Sequence, residues 1–250
     1  MTTAVIRPPP TTAVPMTSLR KTAMVAGAFY LLSFVSVPTL WLYAPILKAS
    51  YVVGPHPGTG VIWGGVLEMI VALAGIGTAV ALYPVVKRQN LSLALGFVGT
   101  RVLEAATIIS GVVIVMTIVT LGQAGAGPDA LATGNALVAM HNWTFLLGQG
   151  FLPAVNALLI GSLLYQSRLV PRILPLVGFI GAPLLVTSAV ATMFGFWDQV
   201  STPSALLTLP IGLWEFSLGV YLVVKGFKPS PITTAMVPPS TPTGGQVVPA

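Results

Sequence analysis

The chain has 250 residues, of which 55% are hydrophobic and 6% charged, and its mean hydropathy is +0.92. Soluble domains carry about a quarter charged residues, so this composition excludes an ordinary soluble protein and indicates an integral membrane chain. The sequence contains no cysteine, which excludes disulfides, thiol chemistry, iron–sulfur clusters and thioether-linked haem.

Six apolar segments are long enough to cross a bilayer, because a helix needs about 20 residues to span a hydrocarbon core about 30 Å thick. Backbone groups in a bilayer must be satisfied internally, and the alternation of a barrel strand is absent, so we expect helices. The predicted spans cover about 22–47, 61–86 and 91–121, a fourth that ends near Tyr165, 173–196 and 204–224. The predicted fold class is all-α, a polytopic transmembrane bundle of six spans.

Basic residues flank these spans unevenly. With six spans, four pairs of cations fall on one side of the membrane, namely Arg20 with Lys21, Lys87 with Arg88, Arg168 with Arg172, and Lys225 with Lys228. The opposite loops hold only Lys48, together with Asp129 and Asp198. The positive-inside rule therefore places both termini in the cytoplasm. Topology accounts for the net charge of +6, so we expect no nucleic-acid partner.

The two ends of the chain differ in composition from the rest. Residues 1–20 and 229–250 are rich in Pro, Thr, Ser and Ala and lack periodic apolar positions. We predict two disordered cytoplasmic tails on either side of a six-helix transmembrane domain at 21–228. The first apolar run is longer than a signal-peptide core, so we expect it to remain as a membrane anchor.

Four ionisable side chains lie within the predicted spans. Arg101 and Glu104 are three residues apart and share one helix face. At about 1.5 Å per residue from the basic loops, they lie roughly 15 and 20 Å deep. The same count places Glu215 about 15 Å deep and Glu68 about 28 Å deep. A charge at a helix centre costs about 2.5–3.5 kcal/mol, so these residues should be paired and face the bundle interior.

Small residues share the faces of both outlying glutamates, which is typical of closely packed membrane helices. They are Gly64, Ala72, Gly75 and Ala79 beside Glu68, and Gly212 and Gly219 beside Glu215. We therefore expect both carboxyl groups to point inward.

The fourth span carries amides at every seventh position. Asn142, Gln149 and Asn156 therefore lie along one side of a continuous helix. Pro153 has no N–H to donate to the carbonyl oxygen of Gln149, so the helix should kink there. We expect these amides and the freed carbonyl to converge with the carboxyl groups.

The interior charges do not balance. One guanidinium faces three glutamates, so ionising all three would leave a net charge of minus two. Burial and mutual repulsion favour the neutral acid. We predict that at least one glutamate is neutral at pH 7, and that it is Glu68, because this residue lies furthest in depth from Arg101.

These residues form a candidate proton or ligand site: Glu68, Arg101, Glu104, Glu215, Gln149 and Asn156. Arg101 with Glu104 and Glu215 fits equally well as a structural clamp between helices. His141 and Asn142 are secondary candidates. They precede Trp143 near the membrane interface, where an aromatic anchor is favoured over a proton relay or metal ligand.

Catalytic and cofactor motifs are missing from the sequence. It contains no HExxH, nucleophile elbow, P-loop or dinucleotide fingerprint. A haem site needs two facing histidines, and only His141 lies at an arguable depth. We expect no cofactor and no metal, and the balance of the sequence is against an enzyme.

Several stretches together are similar to a known family. They cover residues 81–105, 140–150, 165–185 and 213–227, and include the motifs YPVVKRQNLSLALGFVGTRVLEA, MHNWTF, SRLVPR and LWEF. These resemble the bacterial six-helix membrane proteins known as domain of unknown function 4386. The resemblance implies a six-helix fold in the plasma membrane and no established activity. Members tend to have a His-Asp pair where this chain has His141 and Asn142, which weakens an acid–base role there.

Two functions remain open at the level of sequence. The first is transport of a proton or a small polar or cationic solute, which requires a midplane cavity lined by Glu104, Glu215 and Asn156. The second is a non-catalytic membrane module whose cluster clamps helices and which acts through an unidentified protein partner. A dry, fully paired cluster would favour that module. An enzyme acting on lipid would need a nucleophile or metal constellation that the sequence does not contain.

Overall fold

The computed structural model describes residues 18–54 and 56–236. Every element in this part of the chain is helical. The α-helices are α1 (Ser18–Leu32), α2 (Thr39–Leu42), α3 (Thr59–Val86), α4 (Leu91–Ala124), α5 (Leu131–Gly148), α6 (Leu152–Ser167), α7 (Ile173–Met193), α8 (Thr202–Val224) and α9 (Pro231–Thr234). Short 3-10 helices form at Ser33–Ser36, Ala49–Val52 and Pro128–Ala130.

Six segments of the described chain are long and apolar enough to cross a membrane. They are Ser18–Leu42, Thr59–Val86, Leu91–Ala124, Pro128–Ser167, Ile173–Met193 and Thr202–Val224. The predicted all-helical fold with six candidate spans is confirmed. A chain with six such segments is a multi-pass membrane protein.

The first span is interrupted, and it ends at Leu42 instead of near the predicted residue 47. Helix α1 ends at Leu32, a 3-10 turn follows, and α2 begins after Pro38. Pro38 has no N–H to continue the ladder. Ser33 and Ser36 also direct their hydroxyls to backbone carbonyls three residues earlier, which competes with regular helix geometry.

The fourth span is broken, not kinked. Helix α5 ends at Gly148 and α6 begins at Leu152, where Pro153 occupies the first turn. Proline is well accommodated in a first turn because the N–H it lacks would have no partner within the helix. The prediction that Asn142, Gln149 and Asn156 share one continuous helix face is therefore wrong.

The spans form a closed ring in chain order. Helix α1 packs against α3, α3 against α4, α4 against α5 and α6, α6 against α7, and α7 against α8. Helix α8 closes the ring by packing against α1. Polar side chains that point inward from any span therefore face one shared centre.

Apolar side chains cover the outside of the ring. Leu73 is 64% exposed and Ile180 is 61% exposed, although both lie in the middle of apolar spans. An exposed surface of this kind is unfavourable in water and suits contact with lipid chains.

Four of the basic segments meet at one end of the bundle. Arg20 Nη1 donates to Leu222 O (3.0 Å), and Lys228 N donates to Leu169 O (2.8 Å). Gln89 Nε2 donates to Gln166 Oε1 (3.4 Å). These contacts join the start of the first span to the loops at 87–90 and 168–172 and to the segment at 225–228. We call this the basic end. The far end is the one that carries the connecting segments 43–54, 56–58, 125–130 and 194–201.

The predicted tails fall mostly outside the described residues, which exclude 1–17 and 237–250. Helix α9 lies within the stretch assigned to the C-terminal tail. Its N-cap is Ser230, whose hydroxyl accepts from Thr233 N (3.3 Å).

Candidate functional site

The polar residues of the candidate site fall into two groups. One group, the Arg101 cluster, consists of Arg101, Glu104, Glu215 and Asn156. The other, the Glu68 group, consists of Glu68, Tyr43 and Gln149. Counting depth from the sequence places all four ionisable residues on one ladder but does not show that their hydrogen bonds form two separate sets.

Arg101 is the centre of its cluster. Its Nη1 donates to Glu104 Oε2 (3.0 Å) and its Nη2 donates to Glu215 Oε1 (2.8 Å), while the residue is only 4% exposed. The guanidinium carbon also lies 5.5 Å from the ring centroid of Tyr30 and 5.7 Å from that of Phe97. Ion pairs and aromatic faces together compensate the buried cation.

Asn156 extends this cluster to a third span. Its Nδ2 donates to Glu104 Oε2 (2.6 Å), and its Oδ1 accepts a short hydrogen bond from Thr100 Oγ1. The cluster therefore connects α4 with α6 through Asn156 and α4 with α8 through Glu215. Such a network holds three helices in a defined arrangement, as expected for a structural clamp.

Glu68 has different partners. Tyr43 Oη donates to Glu68 Oε2 (3.1 Å) and Gln149 Nε2 donates to Glu68 Oε1 (3.1 Å). Both partners are neutral, and the Glu68 residue is only 3% exposed. Gln149 follows the last residue of α5 and lies in the break of the fourth span. The break allows its amide to leave the helix axis and reach α3.

A central cavity of about 160 Å³ occupies the middle of the ring. Every span contributes to its lining, in chain order through Ser36, Gly75, Glu104, Gln149, Leu185 and Glu215. Asn156 lies behind Glu104 and is fully buried, so it supports the lining from outside the cavity. The cavity has room for several water molecules or a small ion.

A larger pocket of about 640 Å³ opens at the far end, and we call it the outer pocket. Glu68, His141 and Asn142 are among the residues that line it. Gln149 lines the central cavity and donates its hydrogen bond to Glu68, which lines the outer pocket. The Gln149–Glu68 hydrogen bond therefore lies between the two spaces.

The two secondary candidates are placed differently within this pocket. His141 is buried at 6% exposure, and its ring packs edge-on against Tyr43, with 5.6 Å between centroids. The side chain of Asn142 is exposed. Across the described residues, no group of three or more His, Asp or Glu side chains could hold a metal ion.

Several residues of the pocket were missed by reasoning from the sequence. Tyr43 binds Glu68, and Thr192, Trp197 and Asp198 line the pocket from the segment around the loop between α7 and α8. Nothing in their spacing marks them, because they belong to span ends and loops without a helical period. Only the aromatic residues carry a signal, since aromatics favour membrane interfaces.

Comparison with known protein families identifies the family of this chain. A family model described as "Domain of unknown function (DUF4386)" matches residues 25–226. The chain belongs to the DUF4386 family. The match reaches from the first span through the end of the sixth, so the resemblance found in the sequence is confirmed. Neither the curated proteins nor the solved structures contain a match to this DUF4386 protein.

Proposed function

We propose that this DUF4386 protein binds a proton or a small polar or cationic solute within its bundle and carries it across the membrane. The observation that carries the proposal is a cavity lined by all six spans, with the Gln149–Glu68 hydrogen bond between it and a larger pocket at the far end.

The charges along this route suit such a role. Glu104 and Glu215 line the central cavity, and Glu68 lines the outer pocket. Carboxyl groups within a membrane bind and release protons or cations, and they are costly to retain for packing alone. The three glutamates outnumber the single buried arginine, which leaves the interior able to accept positive charge.

The orientation belongs to the same proposal. The basic end faces the cytoplasm under the positive-inside rule, with both chain termini on that side of the plasma membrane. The outer pocket then opens to the exterior. Residues 1–20 and 229–250 lie on the cytoplasmic side in this arrangement.

A structural module is the second candidate. Both terminal nitrogens of Arg101 are paired, and Asn156 adds a third helix to the network. This pairing favours a clamp that fixes the bundle while the protein acts through a protein partner. The Glu68 group lies outside that clamp, so the clamp does not account for it. Variants of Glu68 therefore distinguish transport from a purely structural module.

Proton flux into proteoliposomes tests the proposal. Purified protein is reconstituted with a trapped pH-sensitive dye, and an imposed pH gradient is followed over time. We expect wild type to dissipate the gradient faster than protein-free vesicles, and Glu68→Gln and Glu104→Gln to reduce that rate by about tenfold. Asp129→Asn changes one exposed acid outside the cavity and the pocket, so it should keep the wild-type rate.

Flux of small organic cations is measured in the same vesicles. If wild type moves neither protons nor these cations under either gradient direction, transport is refuted and the module remains. Equal flux in wild type and in both glutamate variants would contradict the site.

A further inference from the structure

We propose that the outer pocket is a binding site for a small organic ammonium ion that also bears a hydroxyl or carbonyl group. The inference rests on the proposed function and deepens it by naming the class of solute. It is carried by the charge, the aromatic surface and the unpartnered polar atoms of the pocket.

The charge of the lining selects a cation. Glu68 is buried and Asp198 is exposed, and both line the pocket. The described lining contains no lysine or arginine that would neutralise them. Asp198 supplies one negative charge, and a bound cation would favour loss of the proton from Glu68, which adds a second. Negative charge in a concave, partly desolvated site attracts a positive ligand more strongly than the same charge on an open surface.

The aromatic side chains of the pocket favour an organic cation over a metal ion. Tyr43, Trp143, Phe145 and Trp197 all line the pocket. Aromatic faces attract alkylammonium groups through the ring quadrupole, and such groups shed water at a lower cost than a small metal ion does. Aromatic walls around carboxylates are therefore suited to an alkylated ammonium group.

Unpartnered polar atoms point to the second group on the ligand. Thr192 Oγ1 and Trp197 Nε1 are buried and make no hydrogen bond with any described residue, and no partner meets hydrogen-bond geometry at the buried His141 Nδ1. All three residues line this pocket, and His141 is only 6% exposed. A buried polar atom without a partner is unfavourable, and an indole N–H can only donate. A ligand oxygen would supply the acceptor that Trp197 lacks.

The pocket also has a suitable size, and hydrogen bonds hold the loop that forms one of its sides. Its volume of about 640 Å³ falls within the usual range for small-molecule sites. With its amide turned to satisfy both contacts, Gln199 donates to Asn142 O (3.1 Å) and accepts from Leu146 N (2.9 Å). The loop after α7 is thereby attached to α5 across the pocket.

Calorimetric titration of detergent-solubilised full-length protein with choline chloride tests the inference. Choline carries both an ammonium and a hydroxyl group, and 3,3-dimethylbutan-1-ol is its neutral isostere. We expect choline to bind at least about tenfold more tightly than the alcohol, and sodium chloride at equal ionic strength not to displace it. Glu68→Gln and Asp198→Asn should each weaken choline binding by about tenfold, while Asp129→Asn leaves it within about twofold of wild type.

Asp198 is exposed, so its variant keeps the test valid if Glu68→Gln does not fold. Equal affinity for choline and the neutral alcohol, choline binding unchanged in Asp198→Asn, or no detectable choline heat would each overturn the inference. Binding without flux in vesicles would retain this site and refute transport. Proton flux without choline binding would refute this site and retain transport.

Discussion

Glu68 and Arg101 are both almost fully buried, yet their surroundings differ in kind. Arg101 has two carboxylate partners and two aromatic faces, whereas Glu68 has hydrogen bonds from a tyrosine and an amide only. The charge on Arg101 is therefore compensated by opposite charge. A charge on Glu68 would be compensated only by dipoles, which makes Glu68 the residue whose charge depends most on a ligand or a proton.

Infrared difference spectroscopy tests the proton on Glu68. We expect a carbonyl band from a protonated carboxyl group in wild type at pH 7, because the interior holds three glutamates and one arginine. The band should disappear in Glu68→Gln and persist in Asp129→Asn. A wild-type spectrum without such a band would contradict the expectation.

Removing the Arg101 charge should destabilise the bundle. Arg101→Gln leaves the buried Glu104 and the half-buried Glu215 without a cation, and we expect a loss of about 3 kcal/mol in the free energy of unfolding. Unfolding is measured by detergent titration in mixed micelles. Arg88→Gln, an exposed position at the basic end, should change stability by no more than about 0.5 kcal/mol.

The double variant separates a pair from two independent effects. Arg101→Gln with Glu215→Gln removes both partners, so its loss should be smaller than the sum of the single losses by about 1 kcal/mol or more. Strictly additive losses would show that the 2.8 Å contact contributes no coupling.

At the scale of elements, the interruptions in the first and fourth spans create the site. The break after Gly148 directs Gln149 toward Glu68 from one side, and the interrupted first span brings Tyr43 to it from the other. Proline lies beside each interruption and removes a backbone donor there. A bundle of six regular helices would not deliver these two side chains to one carboxyl group.

Close packing of α1 and α8 depends on glycine. A Cβ built on Gly27 would lie 2.6 Å from the backbone oxygen of Gly219, which cannot move aside without shifting α8. We expect Gly27→Ala to reduce the free energy of unfolding by about 1–3 kcal/mol in the detergent titration. The same change at Gly99, where a Cβ would meet nothing within 4 Å, should be neutral or stabilising by up to about 1 kcal/mol. Equal effects at both glycines would argue against close helix approach as the cause.

At the scale of the molecule, the ring has one basic end and one end with an open pocket. This asymmetry gives a direction to the proposed route. The buried network joins helices that are distant in sequence, since Glu215 follows Arg101 by 114 residues. Such contacts hold together helices that are distant in sequence and that surround the central cavity.

The orientation in the membrane is tested with single cysteines, because the natural chain has none to create background. Pro229→Cys reports an exposed position at the basic end, and Ala126→Cys reports one at the far end. We expect a membrane-impermeant maleimide to label Ala126→Cys in intact cells and Pro229→Cys only after lysis. The reverse pattern would invert the proposed topology.

The sequence by itself determined the class of protein and the six candidate spans, and it predicted similar depths for Arg101, Glu104 and Glu215. Hydropathy and length decide which segments can cross a bilayer. The regular rise per residue of a helix allows the depth of each residue in the membrane to be estimated from its position in the span. Arg101 and Glu215 were predicted at equal depth for that reason, and they form a 2.8 Å ion pair.

Only the tertiary structure decided how the polar residues are grouped and where the pockets lie. Depth is a property of one helix, whereas lateral position depends on how all six pack around the ring. The separation of Glu68 from the Arg101 cluster, the contact of Tyr43 with Glu68 and the loop side chains of the outer pocket all arise from that packing. Local patterns contain no information on contacts between distant, irregular segments, so these features emerge only when the chain is folded.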